Sequence, residues 1–115
     1  MAQLLQEGDK LLISHRRVFE RDELRYFAGT VVAYDDGIVK LEGWTYLKDF
    51  GTGNIVRKPD HRTKLYALAS GTILVYQLPT TVNLQTLEFT VDGARALVTD
   101  GGELQMDMSE HLSAR

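Results

Sequence analysis

The sequence predicts an all-β fold: a meander of about eight or nine short antiparallel strands, forming a barrel or a two-sheet sandwich with little or no helix. Three observations carry this expectation. Apolar residues alternate with polar ones along several runs, as in Leu87-Glu88-Phe89-Thr90-Val91, which is the two-residue period of a half-buried strand. Turn pairs such as Asp36-Gly37, Ser70-Gly71 and Asp92-Gly93 separate those runs at intervals of ~8–14 residues. No segment sustains the apolar spacing of an amphipathic helix.

The elements follow in chain order. Asp9 to His15 reads as the first strand, with Leu11 and Ile13 on one face. Arg16 to Arg25 mixes both charge signs without a helical stripe and is expected to be a charged loop. Tyr26–Tyr34 and Ile38–Leu47 form a hairpin around Asp35-Asp36-Gly37. A two-residue turn would pair Tyr34 with Val39. A three-residue turn would pair Tyr34 with Ile38 and gather Phe27, Val31, Ala33, Val39 and Leu41, leaving Thr30, Lys40 and Glu42 outside; this second register is preferred. Gly29 and Gly43 fall inside these strands, where a missing side chain marks a bend or bulge.

Phe50 to Asn54 reads as a hairpin tip. A phosphate-binding glycine loop would need a helix after it, and Ile55-Val56-Arg57 follows instead. Thr63–Ala69 and Thr72–Leu78 are expected to pair around Ser70-Gly71. Ile73-Leu74-Val75-Tyr76 reads as a central strand buried on both faces, or one covered by a second subunit. Thr80 to Thr86 holds a short turn of helix. The last hairpin is centred on Asp92-Gly93, pairing Val91 with Ala94, Phe89 with Ala96 and Leu87 with Val98, so that one face is wholly apolar. Glu103 to Met108 is the final strand.

The 115 residues, 43% of them apolar and 25% charged, fit a single domain spanning 1–115, with 1–8 and 109–115 expected to fray. A chain of this size supports its own core. The absence of cysteine excludes disulfides, thiol catalysis and cysteine zinc sites, and fits a reducing, cytoplasmic compartment. No apolar run approaches the ~20 residues of a membrane helix, and the first ten residues do not read as a signal peptide.

Gly29-x-Val31-x-x-Tyr34-Asp35 followed by Val39-x-Leu41 resembles the bent-strand hairpin of Sm-like and other SH3-like small barrels. That resemblance implies an SH3-like barrel only, because the asparagine and glycine motifs that carry RNA binding in the Sm-like family have no counterpart. Arg17-x-x-x-Arg21 is similar to the first motif of the cyclic-dinucleotide-binding PilZ family, whose second motif is absent.

Function is less legible. The three histidines, His15, His61 and His111, lack ligand spacing, and no catalytic, cofactor or metal signature is present. The formal net charge is −3, which does not suit a general polyanion binder. The local exception is Arg57-Lys58-Pro59-Asp60-His61-Arg62-Thr63-Lys64. If Trp44, Tyr46 and Tyr66 shared an outer face near Arg57, Lys58, Arg62 and Lys64, they would form a stacking platform for single-stranded nucleic acid. The leading expectation is different: a small β interaction module, homo-oligomeric or bound to a protein partner, whose aromatic and apolar strands need a partner surface. A ligand-binding or enzymatic barrel is the third alternative.

Overall fold

The alternating runs pair into two antiparallel sheets. The computed structural model describes residues 4–16, 24–49, 51–92 and 95–108. Strands β1 (Lys10–His15), β2 (Arg25–Asp35), β3 (Ile38–Lys48), β4 (Ile55–Ala67) and β5 (Ile73–Leu78) form a sheet in the order β4-β3-β2-β1-β5. Strands β6 (Glu88–Asp92), β7 (Arg95–Thr99) and β8 (Gln105–Asp107) form a second sheet in that order. A 3₁₀ turn at Leu84–Thr86 precedes β6. No helix among the described residues is long and apolar enough to cross a membrane.

The larger sheet is coiled, and two glycines permit it. Gly29 and Gly43 are cross-strand partners in mid-strand. A Cβ on Gly43 would lie 1.8 Å from the Ala28 carbonyl oxygen and 2.6 Å from the Gly29 Cα, so the two backbones approach as only glycine allows. In a flat sheet β1 and β4 would lie about 14 Å apart. The rings of His15 on β1 and Tyr66 on β4 are instead 5.9 Å apart, with Phe27 of β2 5.8 Å from Tyr66. The concave face so formed holds a core of its own, built on Leu11, Ile13, Phe27, Val31, Val39 and Leu41. Among the described residues the edge strands β4 and β5 do not pair, so the sheet stays open.

The β2–β3 hairpin corrects the preferred register and explains why its core set holds for every member but Ala33, which is exposed. Asp36 and Gly37 both have positive φ, 48° and 80°, the signature of a two-residue type I′ turn, and Tyr34 pairs with Val39. The register then shifts between Val31 and Ala33. That bulge absorbs one residue and reverses the facing of everything beyond it. Phe27, Val31, Val39 and Leu41 therefore share the concave core, while Ala33 pairs with Lys40 on the other side.

The second sheet packs on the opposite face of the first. Phe89 of β6 stacks on Tyr26 at 4.6 Å and lies 4.9 Å from Tyr46, and those two tyrosines are themselves cross-strand partners. Such aromatic contacts add about 0.5–1.5 kcal/mol beyond area burial. In the β6–β7 ladder Val91 pairs with Ala96, Phe89 with Val98 and Asp92 with Arg95. The register is thus two residues away from the expected one, and a two-residue shift leaves the apolar face unchanged. Gly93 of that expected turn and Ala94 after it lie outside the described residues, as do residues 17–23 of the charged run.

Two further expectations are overturned. The Thr63–Ala69 and Thr72–Leu78 runs do not form a hairpin. The first is the end of β4, paired with β3, and β5 crosses to the far edge to pair with β1. Ser70-Gly71 supplies a tight turn, with Gly71 at φ 79°, but turn chemistry does not decide which strand comes next in the sheet. For the same reason β5 is not central: it is an edge strand, with Val75 36% exposed.

Loops are fastened by side chains. Asp9, buried, accepts from the Gln6 backbone N–H at 3.0 Å, and the Gly8 N–H donates to the Val31 carbonyl at 3.0 Å. Asp100 accepts from the backbone N–H groups of Gly102, Asn83 and Leu104 at 2.8, 3.2 and 3.3 Å. These bonds, Gly102 foremost, hold its carboxyl below the usual carboxylate range.

Candidate interaction surfaces

Edge strand β4 carries the basic segment, and a wide bulge divides it. Trp44 of β3 pairs with His61 and Tyr46 pairs with Arg57, so Lys58, Pro59 and Asp60 stand opposite Thr45 alone. The bulge adds two residues, so alternation carries through it: Arg57 faces the same way as His61, and opposite to Arg62 and Lys64. Arg57 lies with Trp44 and Tyr46 on the side of the second sheet, its guanidinium 5.0 Å from the Trp44 ring, and its Nη1 donates to the Gln85 carbonyl at 2.8 Å. Arg62 and Lys64, partners of Gly43 and Leu41, lie on the concave side.

The tyrosines and Trp44 are occupied. Tyr46 is 1% and Tyr66 8% exposed. Trp44 meets Arg57 and, edge-on at 4.9 Å, the imidazole of His61. Burial pushes the Tyr46 phenol above its usual range, and neighbouring Arg57 partly opposes this. The structure therefore brings Trp44, Tyr46 and Arg57 together, and separately Tyr66, Arg62 and Lys64. It does not bring all of them to one outer face. The Arg62–Asp60 ion pair, 3.0 Å long, joins two half-exposed side chains and is worth at most about 1 kcal/mol. A cleft of about 440 Å³ opens between the larger sheet and the segment before β6, lined by Lys10, Glu42, Trp44 and His61 among others. The Lys10 ammonium there donates to the carbonyls of Thr80 and Val82, fastening that loop to β1. Among the described residues no group of three or more His, Asp or Glu converges as a metal site would require.

On the concave side, Lys64 rests its ammonium 4.8 Å from the Phe27 ring and donates to Thr45 Oγ1 at 3.0 Å. Burial, then the charges of Arg25, Arg62 and Lys58, hold its pKa below the usual lysine range. His15 is lowered in the same way, by burial and then by Arg25 and Lys64. Burial pushes Tyr66 up to about 12, against the charge of Arg25. Neither Arg25 nor His15 was singled out by sequence reasoning as a site residue. The signal was there, since both continue the odd-numbered positions that place Phe27 and Ile13 in the core.

The other edge, β5, differs in kind. Its six residues, Ile73-Leu74-Val75-Tyr76-Gln77-Leu78, carry no charge, no proline and no glycine. The Arg16 N–H donates to the Thr72 carbonyl at 2.9 Å, in the same register that pairs His15 with Ile73. Hydrogen-bonded pairs alternate in an antiparallel ladder. Leu74, Tyr76 and Leu78 therefore bond to β1, and the N–H and C=O groups of Ile73, Val75 and Gln77 point away from the sheet. No described backbone group meets them. No family model, curated protein or solved structure matches this chain.

Proposed function

We propose that this protein is an assembly module whose β5 edge pairs with the β5 edge of a second copy. The observation that carries the reading is the undefended outer rim of Ile73–Leu78. Exposed edges are ordinarily blunted by charge, proline, bulges or cover, and β5 has none of the first three. A second copy is the favoured occupant because the segment is self-complementary about a two-fold axis. Centred on Val75, antiparallel pairing sets Val75 against Val75, Ile73 against Gln77 and Leu74 against Tyr76. No like charges meet. Self-pairing of β4 would instead oppose Arg57, Lys58, Arg62 and Lys64 to one another. The strand order and the Gly29–Gly43 bend also support reading the larger sheet as an open, SH3-like small barrel; pairing through β5 would extend it to ten strands.

Light scattering behind size exclusion tests the assembly. Wild-type protein is expected at twice the 13.0 kDa chain mass, unchanged by high salt because the interface is uncharged. Val75→Pro removes an outward N–H but no bond to β1, and is expected to run as a folded monomer. A wild-type monomer at all concentrations, or a dimer untouched by Val75→Pro, overturns the reading.

A further inference from the structure

The concave face of the larger sheet sorts charge by sign. Alternation along the strands directs His15 of β1, Arg25 of β2, and Arg62 and Lys64 of β4 to the side that holds Phe27 and Tyr66. The residues of β3 facing the same way are Val39, Leu41, Gly43, Thr45 and Leu47, and those of β5 are Ile73, Val75 and Gln77. Every charged side chain that regular pairing in β1–β5 sends to this side is thus a cation or a histidine. Asp60, in the β4 bulge, pairs with Arg62. Asp9 lies just before β1, about 20 Å along the strand from His15, and is held by Gln6 and Gln77. Among the described residues neither Arg25 nor Lys64 has a carboxylate partner.

A second, independent observation sits in the same place. The Tyr66 hydroxyl is fully buried and has no hydrogen-bond partner, although its ring packs between His15 and Phe27. Buried hydroxyls are almost always satisfied. An unmet donor beside two cations, Arg25 and Lys64, that have no carboxylate partner among the described residues is the complement of an oxyanion. Lys64, with one of its three donors on Thr45, has two left to give.

We infer that this end of the concave face binds a single phosphate group, with Arg25 and Lys64 as the charged donors and Tyr66 as the neutral one. Lys64 sits over the Phe27 ring, and Arg25 stands two residues from Phe27 on the same face of β2. A polynucleotide backbone needs a track of cations, and here Arg57 is turned to the other side of the sheet. The favoured ligand is therefore inorganic phosphate or a small phosphomonoester. This inference is independent of pairing through β5, which uses the backbone of a different edge.

The test is calorimetric titration with inorganic phosphate at fixed ionic strength, chloride replacing phosphate in the control. Wild-type protein is expected to bind. Arg25→Gln and Lys64→Gln should each weaken binding roughly tenfold or more, the loss of a charge-assisted hydrogen bond, and Arg57→Gln should leave it unchanged. Tyr66→Phe keeps the ring and its packing, so it is expected to fold as wild type while binding phosphate several-fold more weakly. A nucleoside monophosphate and a short single-stranded RNA then separate the sources. Monophosphate that displaces phosphate, with no RNA competition, supports the small ligand. RNA that competes for phosphate and loses affinity with Lys64→Gln contradicts the preference for a small ligand. No phosphate binding, or equal binding by wild type, Arg25→Gln and Lys64→Gln, overturns the site.

Discussion

The two edges of the larger sheet solve the same problem in opposite ways. Edge strand β4 runs 13 residues and β5 runs 6. The long edge carries Pro59 in a bulge, flanked by Arg57, Lys58, Arg62 and Lys64, so its ladder is interrupted where a second strand would dock. It keeps that protection although Leu65 on it is 66% exposed. The short edge carries no such device. Under the proposed pairing, the state of the outward backbone groups and the charges beside them, rather than exposed apolar side chains, set where this protein associates.

The harshest way to break the comparison is to remove the bend that coils the sheet between its two edges. Gly43→Ala would drive a Cβ into the Ala28 carbonyl at 1.8 Å, which the backbone must open to accept. A loss above ~4 kcal/mol is expected, seen as absence of a cooperative thermal transition by circular dichroism. Second, Val75→Pro is expected to halve the particle mass with the fold retained. Third, the protection of β4 can be undone. Pro59→Val combined with Lys58→Thr and Arg62→Thr is expected to give particles larger than a dimer, because a second edge becomes available. A dimer unchanged by that triple substitution would show that the bulge alone blunts β4.

The smallest effect sharpens the contrast by leaving both edges alone. Asp100 is held below its ordinary value of 3.8 by backbone N–H groups of the Asn83 and Gly102 loops. A carboxyl whose folded pKa is depressed contributes stability above its unfolded value, and that contribution is lost as pH falls through the folded one. Asp100→Asn should therefore lower the melting temperature slightly at pH 6. The gap to wild type should close below pH 3.8, with particle mass unaffected. Thermal melts from pH 6 downward check this.

Strands and turns were legible in the sequence because both are local. Alternation marked Leu11, Ile13, Val39 and Leu41 as facing inward, and Asp36-Gly37 marked its turn. Register was less so. The bulge at Val32 has no sequence signature, and without it the correct core set seemed to require a different turn. Pairing across the sheet was least legible: Ser70-Gly71 turns the chain, but β1 competes for β5, and that competition depends on distant segments. The basic segment was found and its division was missed although alternation carries it: Arg57 is odd-numbered, Arg62 and Lys64 even-numbered, and the Lys58–Asp60 bulge adds two residues, which preserves their facing.

The central claim is that the outward amides of β5 are covered by a second copy. Hydrogen exchange of the Ile73, Val75 and Gln77 amides, followed by NMR across protein concentration, tests it most directly. Protection that is strong when concentrated and fades on dilution together with the dimer mass is the predicted result. Fast exchange of all three amides in a sample that scatters as a dimer would place the interface elsewhere and contradict the account.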